Sequence, residues 1–137
     1  MTDILAALLV FLQADVNVTA QVGTRIFAGE LPRKEIDNMP RKAAVLRYSG
    51  GIENNSFVPL ARPRVDITSY GATYFEAGEV DRAIYTALKA MDRETVDNVL
   101  LHGAALSGGP LMLKDPQAGW PYQWRSAVVT ADERETI

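Results

Sequence analysis

The sequence contains no cysteine and a single histidine. Missing thiols remove disulfides, thiolate nucleophiles and cysteine-based zinc sites together, and suit a chain that folds in a reducing cytosol or is indifferent to redox state. One imidazole, His102, rules out the paired-histidine pattern of zinc peptidases and any histidine-rich metal cluster. Set within an apolar stretch, it reads as a hydrogen-bonded structural residue rather than a base. Long apolar runs are missing too: the longest, residues 4–12, covers nine positions, against roughly 20 for a membrane span. Asp3, with no basic residue before that run, does not fit a signal peptide, so the expectation is a soluble protein. Cations are outnumbered, 14 Lys and Arg against 17 Asp and Glu for a net charge of −3. That balance does not fit a protein held to nucleic acid by phosphate neutralisation.

Catalytic signatures are equally scarce. No Gly-x-Ser-x-Gly elbow occurs, and the pairs Gly50-Gly51 and Gly108-Gly109 lack the lysine and the strand-loop-helix context of a phosphate loop. The reading is of a non-enzyme with no catalytic residue, no cofactor and no metal. Two constellations come nearest to chemistry. Glu76, Glu79 and Asp81 have the spacing to offer carboxylates to a hard cation, but acidic residues in the first turns of a helix also complement its dipole on a solvated face. Trp120, Tyr122 and Trp124 alternate as a base-stacking platform would, yet without surrounding cations they read as core and interface aromatics.

What is present is a core. With 47% hydrophobic and 23% charged residues in 137, the chain fits one domain, residues 1–137, with a charged tail over 131–137 expected to fray. Ile4, Leu5, Leu8, Phe11 and Leu12 follow helical spacing behind Thr2 or Asp3 as a cap. That face is broad enough to require deep packing or cover from a neighbouring subunit. Residues 15–22 suit a second short helix closed by Gly23. Arg25-Ile26-Phe27 reads as a strand, residues 31–42 as a Pro- and charge-rich loop, residues 43–48 as a strand, and residues 49–56 as a mobile run of turn formers. Residues 60–70 alternate as a sheet strand with one wet face.

Thr73 and Glu76 stand at capping-box spacing. Ala77, Val80, Ile84, Ala87, Leu88 and Met91 then continue one apolar helical face. Residues 92–97 read as a polar connection and 98–106 as a buried strand. Residues 107–110 interrupt it as a bulge or bend before Leu111-Met112-Leu113. Residues 114–119 form a turn, and the last strand starts at Trp120. The fold class expected is α/β (α+β), a mostly antiparallel sheet with helices on one face.

Taken together, the opening helix with Leu5, Leu8 and Leu12, the stretch Ala20-Gln21-Val22-Gly23-Thr24-Arg25-Ile26-Phe27, the strand Val65-Asp66-Ile67-Thr68-Ser69-Tyr70 leading into the helix of residues 79–91, and the turn Lys114-Asp115-Pro116 before Trp120, Tyr122, Trp124 and Arg125 resemble the tail terminator (tail completion) proteins of long-tailed bacteriophages and gene transfer agents. The resemblance implies a virion protein, made in the host cytoplasm. It implies a homo-oligomeric ring, favoured as a hexamer, that caps the tail tube, stops its polymerisation and presents a surface to the head connector. Its partners would be further copies of itself, the tail tube protein and the neck, with DNA passing through the lumen unbound and no membrane involved. Another neck component, a head-closure or connector-adaptor protein, shares these expectations; a small ligand-binding α/β domain is a separate alternative.

Interfaces are expected where adaptable backbone carries isolated apolar groups. Residues 49–57 with Ile52 and Phe57, and residues 107–119 with Met112, should project from the sheet. Arg62, Arg64 and Arg125 should supply charge pairs at the rim.

Overall fold

The computed structural model describes residues 3–52 and 60–132. Helix α1 (Ile4–Gln13) starts where the Asp3 carboxylate accepts the Ala6 N–H, and α2 (Val16–Val22) where Asp15 caps Asn17 and Val18. Gly23 ends α2 at φ +59°, a left-handed position that glycine occupies without steric cost. Strand β1 (Ile26–Ala28) and a one-turn helix α3 (Arg33–Ile36) follow, then β2 (Ala43–Ile52), β3 (Leu60–Tyr70), the long helix α4 (Tyr74–Ala90), β4 (Glu94–Val96), β5 (Val99–Lys114) and β6 (Pro121–Asp132).

The six strands form one sheet in the order β1-β2-β3-β6-β5-β4. Only β1 and β2 pair in parallel; the other pairs are antiparallel. Alternation along the strands turns Ile26, Ala44, Leu46, Val65, Ile67, Ala127, Val129 and Ala131 to one side. There they meet Leu8 and Leu12 of α1, Val18 and Val22 of α2, and Val80, Ile84 and Leu88 of α4. Each of these large aliphatic side chains, fully buried, contributes about 1.5–3 kcal/mol of transfer free energy. The expected fold class, helices over one face of a mostly antiparallel sheet, is what the chain adopts.

Helix α4 follows its sequence closely. The Thr73 hydroxyl accepts the Glu76 N–H at 3.2 Å, and the Glu76 carboxylate reaches back to the Ala72 N–H at 3.5 Å, one residue earlier than a standard capping box places it. Ala77, Val80, Ile84, Ala87, Leu88 and Met91 are all buried. Gly78 sits in this helix because β6 comes close: a Cβ there would stand 2.9 Å from the Gln123 amide nitrogen.

Several expectations need correction. The loop over 31–42 contains α3, whose Glu35 is buried and held by Arg41 through two hydrogen bonds at 2.7 and 2.8 Å. The supposed mobile tip begins as strand: β2 runs on to Ile52, opposite Arg62, by absorbing one extra residue in a bulge between Tyr48 and Gly51. The connection over 92–97 contains β4, turned into β5 through Asp97 and Asn98 at φ +50° and +63°. Positive φ at both central positions is the signature of the two-residue hairpin turn. The tail begins later than expected, since Ala131 is fully buried in β6 and Asp132 ends that strand; residues 133–137 lie outside the described residues. Among the described residues no single helix is long and apolar enough to cross a membrane.

Candidate assembly interface

The β5–β6 hairpin dominates one end of the molecule. It is regular strand from Leu111↔Trp124 through Lys114↔Pro121, where a loop was expected over 107–119. The interruption read from Ser107-Gly108-Gly109-Pro110 is a pair of register shifts, at Leu106/Gly108 and Gly108/Leu111, that bend the strand without ending it. Gly109 permits the bend: at φ +90°, a Cβ there would lie 2.5 Å from the Trp124 carbonyl oxygen and 2.9 Å from Arg125 Cα. Only the connecting turn departs from strand. There the Asp115 carboxylate accepts the Gln117 and Ala118 N–H groups, and Gly119 takes φ +78°.

This hairpin is apolar on both faces near its tip. Leu111 and Leu113 share the helix-free face with Trp124 and Tyr122, while Met112 faces the other way, opposite Gln123. The three are 51%, 39% and 67% exposed. Phe75, at the start of α4, is 72% exposed. Gln123 links the two elements, because its side-chain amide donates to the Tyr74 carbonyl at 3.3 Å while its register partner is Met112. The turn end of the hairpin is stiffened by aromatics: Tyr70 of β3 stands edge-on to Trp120 at 6.3 Å and tilted against Tyr122 at 5.6 Å. Burial, then the Asp115 carboxylate and Tyr122, raise the Tyr70 hydroxyl above its ordinary pKa, so Tyr70 stays uncharged at neutral pH.

The residues expected at interfaces separate. Met112 is on the exposed hairpin. Arg62 and Arg64 are exposed on the helix-free face, where Arg64 reaches the Ser126 hydroxyl at 3.3 Å. Arg125 is not a rim residue. It points to the opposite, helix-covered face, is 9% exposed, and forms a two-bonded ion pair with Asp81 of α4. Ile52 closes β2, and Phe57 lies outside the described residues.

The acidic trio also separates. Asp81 takes Arg125, Glu79 stands 3.3 Å from the Lys42 ammonium, and Glu76 serves the cap. Asp81 is therefore core, not the solvated face expected of it. Among the described residues no grouping of three acidic or imidazole side chains is placed to hold a metal ion. His102 donates to or accepts from Asp132 at 3.1 Å on the neighbouring strand. A groove of about 340 Å³ runs between α2 and α4, lined by Asn17, Gln21, Glu79, Arg82 and Thr86 among others. It includes neither His102 nor Asp81.

The arrangement recurs among solved structures. A chain in the virion of a native gene transfer agent (GTA) particle superposes with a TM-score of 0.72, covering 94% of this chain and 94% of that one at 16% identity. The fold is shared. At that identity the likeness establishes architecture and not role. No family model and no curated protein matches this chain.

The exposed Phe75 had no signal of its own, because Tyr74 and Phe75 read as the first turn of a helix whose apolar face starts at Ala77. The exposure of Leu111 and Leu113 was legible only in part: an apolar triplet beside a turn reads as buried strand unless the two open sides of the hairpin are known.

Proposed function

We propose that this chain is a structural subunit of a phage-like virion, and within it a tail terminator. Copies would close into a ring, hexameric by the resemblance, that caps the tail tube, stops its growth and offers its far surface to the neck, with DNA passing through the lumen. No catalysis is assigned to it. The observation that carries the reading is the end-to-end match, over 94% of both chains, to a component of a gene transfer agent particle.

The surface supports that reading. Leu111 and Leu113 on one face of the hairpin, Met112 on the other and Phe75 at the start of α4 are all exposed apolar side chains, and exposed apolar groups gathered at one element mark surfaces that meet a partner. A ring needs contacts in which one surface meets a different one on the next copy and the rotation closes.

Electron microscopy of the purified protein, alone and with isolated tails, tests the proposal. The expected image is a ring seated on the head-proximal end of the tail tube. A ring found only on the head connector would assign the chain to the neck instead. A strictly monomeric protein present once per particle would remove the ring altogether.

A further inference from the structure

Both ends of the sheet are stepped. At one end β1 covers only Ala44, Val45 and Leu46 of β2, leaving the outer edge of residues 47–52, interrupted by the one bulge between Tyr48 and Gly51, without a strand neighbour among the described residues. At the other, β4 covers only Val99, Leu100 and Leu101 of β5 and the Arg93 N–H reaches the His102 carbonyl, leaving the edge of residues 103–114 without a strand neighbour among the described residues. An open edge presents unpaired N–H and C=O groups and is a template for another strand. Proteins blunt such edges with bulges and prolines, and β5 does so over 101–111, where three register shifts and Pro110 fall. From Leu111 to Lys114 that protection stops. The register is regular, no proline intervenes, and Leu111, Met112 and Leu113 are exposed and apolar on both faces, with Lys114 the one charge, at the end of the strand. A strand apolar on both faces is ordinarily covered on both.

From this we infer that residues 111–114 of β5 in one copy add to the open edge of β2, residues 47–52, in the next copy, so that the sheets of neighbouring subunits run on into one another. The inference rests on the ring reading for the presence of a next copy. The occupant is a second copy because the chain itself supplies the complementary edge, and that edge carries an exposed apolar group: Tyr48 is 46% exposed. Pairing β5 with β5 would leave both β2 edges open. Pairing β5 with β2 is head-to-tail, and when the ring closes both edges are used in every copy.

Since the chain has no cysteine, introduced thiols are the only ones available to a cross-linker. Ser49→Cys and Met112→Cys both change exposed residues on the two edges. With a short bis-maleimide, the double variant should give a ladder of covalent multimers on a denaturing gel, and each single variant should stay monomeric. Dimers from Met112→Cys alone would show a symmetric β5–β5 contact and overturn the inference. No ladder from a double variant that light scattering shows to be oligomeric would also overturn it, while leaving the ring reading intact. A monomer in light scattering would end both. As a second measurement, Met112→Asp should keep the circular dichroism of the parent and weaken self-association at least tenfold; unchanged association would count against the edge contact.

Discussion

Arg125 of β6 and Asp81 of α4 form two hydrogen bonds, at 3.0 and 2.8 Å, beneath the long helix. The Arg125 guanidinium also lies 4.5 Å from the centre of the Tyr85 ring. The pair fixes the middle of the helix on the sheet, as the Gln123–Tyr74 hydrogen bond does its start, in a layer held mainly by aliphatic contacts. Its strength depends on both members being present, since either one alone would be a buried charge without a partner.

Removing one member should therefore cost more than removing both. Arg125→Met or Asp81→Leu alone is expected to destabilise by about 3–5 kcal/mol, and the double variant by much less than the sum. Chemical denaturation of the four proteins measures this directly. Additive losses would mean that the two side chains do not depend on each other.

Gly71 makes a different prediction, because its φ is not positive and conformational freedom is not the reason for it. The chain leaves β3 so close to α4 that a Cβ at Gly71 would lie 2.5 Å from the Ala77 nitrogen and 2.7 Å from Glu76 Cβ. Both belong to the helix and cannot swing aside. Gly71→Ala should lose about 1–3 kcal/mol by overpacking, read as a lowered Tm. A neutral result would show that the β3–α4 junction is looser than these distances.

The helix itself offers a paired test of cap against core. Thr73→Ala removes the hydroxyl that accepts the Glu76 N–H and should cost about 0.5–2 kcal/mol. Ile84→Ala empties a fully buried site and should cost about 2–5 kcal/mol. If the order were reversed, tertiary packing would not be what holds this helix.

How much of this was legible in the sequence depended on whether the signal was local. Helix α4 carried its cap, its period and its length within consecutive residues, and all three were readable. The run Ser107-Gly108-Gly109-Pro110 read as a bulge or bend, and register shifts do fall there. Its actual work, letting β5 bend close against Trp124 and Arg125, appears only once β6 lies alongside. Strand β4 was missed although Asp97-Asn98 between Val96 and Val99 is a workable hairpin turn; three residues are too few for alternation to register. Arg125 was misplaced for a plainer reason. Its partner lies 44 residues away in sequence, and the neighbouring aromatics Trp120, Tyr122 and Trp124 suggested that their side of the strand faced the core. Of the candidate interface, the hairpin and Met112 were readable, whereas its two open edges follow from strand order, which no local pattern encodes.

Acid should act first on the segment around α3. Glu35 is 7% exposed, and the hydrogen bonds from Arg41, helped by the charges of Arg41 and Arg25, hold its carboxyl below the ordinary value of 4.5 against the opposing effect of burial. A carboxylate whose pKa is lowered by folding adds stability above its unfolded pKa, and that stability is lost as pH falls through the folded value. Because the Arg41 side chain is 44% exposed, solvent screening keeps the contribution modest. Glu35→Gln should therefore be less stable than the parent near neutrality, and the difference should shrink below about pH 4.5 as the parent carboxylate gains its proton. Urea denaturation of both proteins across this range gives the two stability curves. Curves that run parallel to the lowest pH would show that the Glu35–Arg41 pair is not the source of the difference.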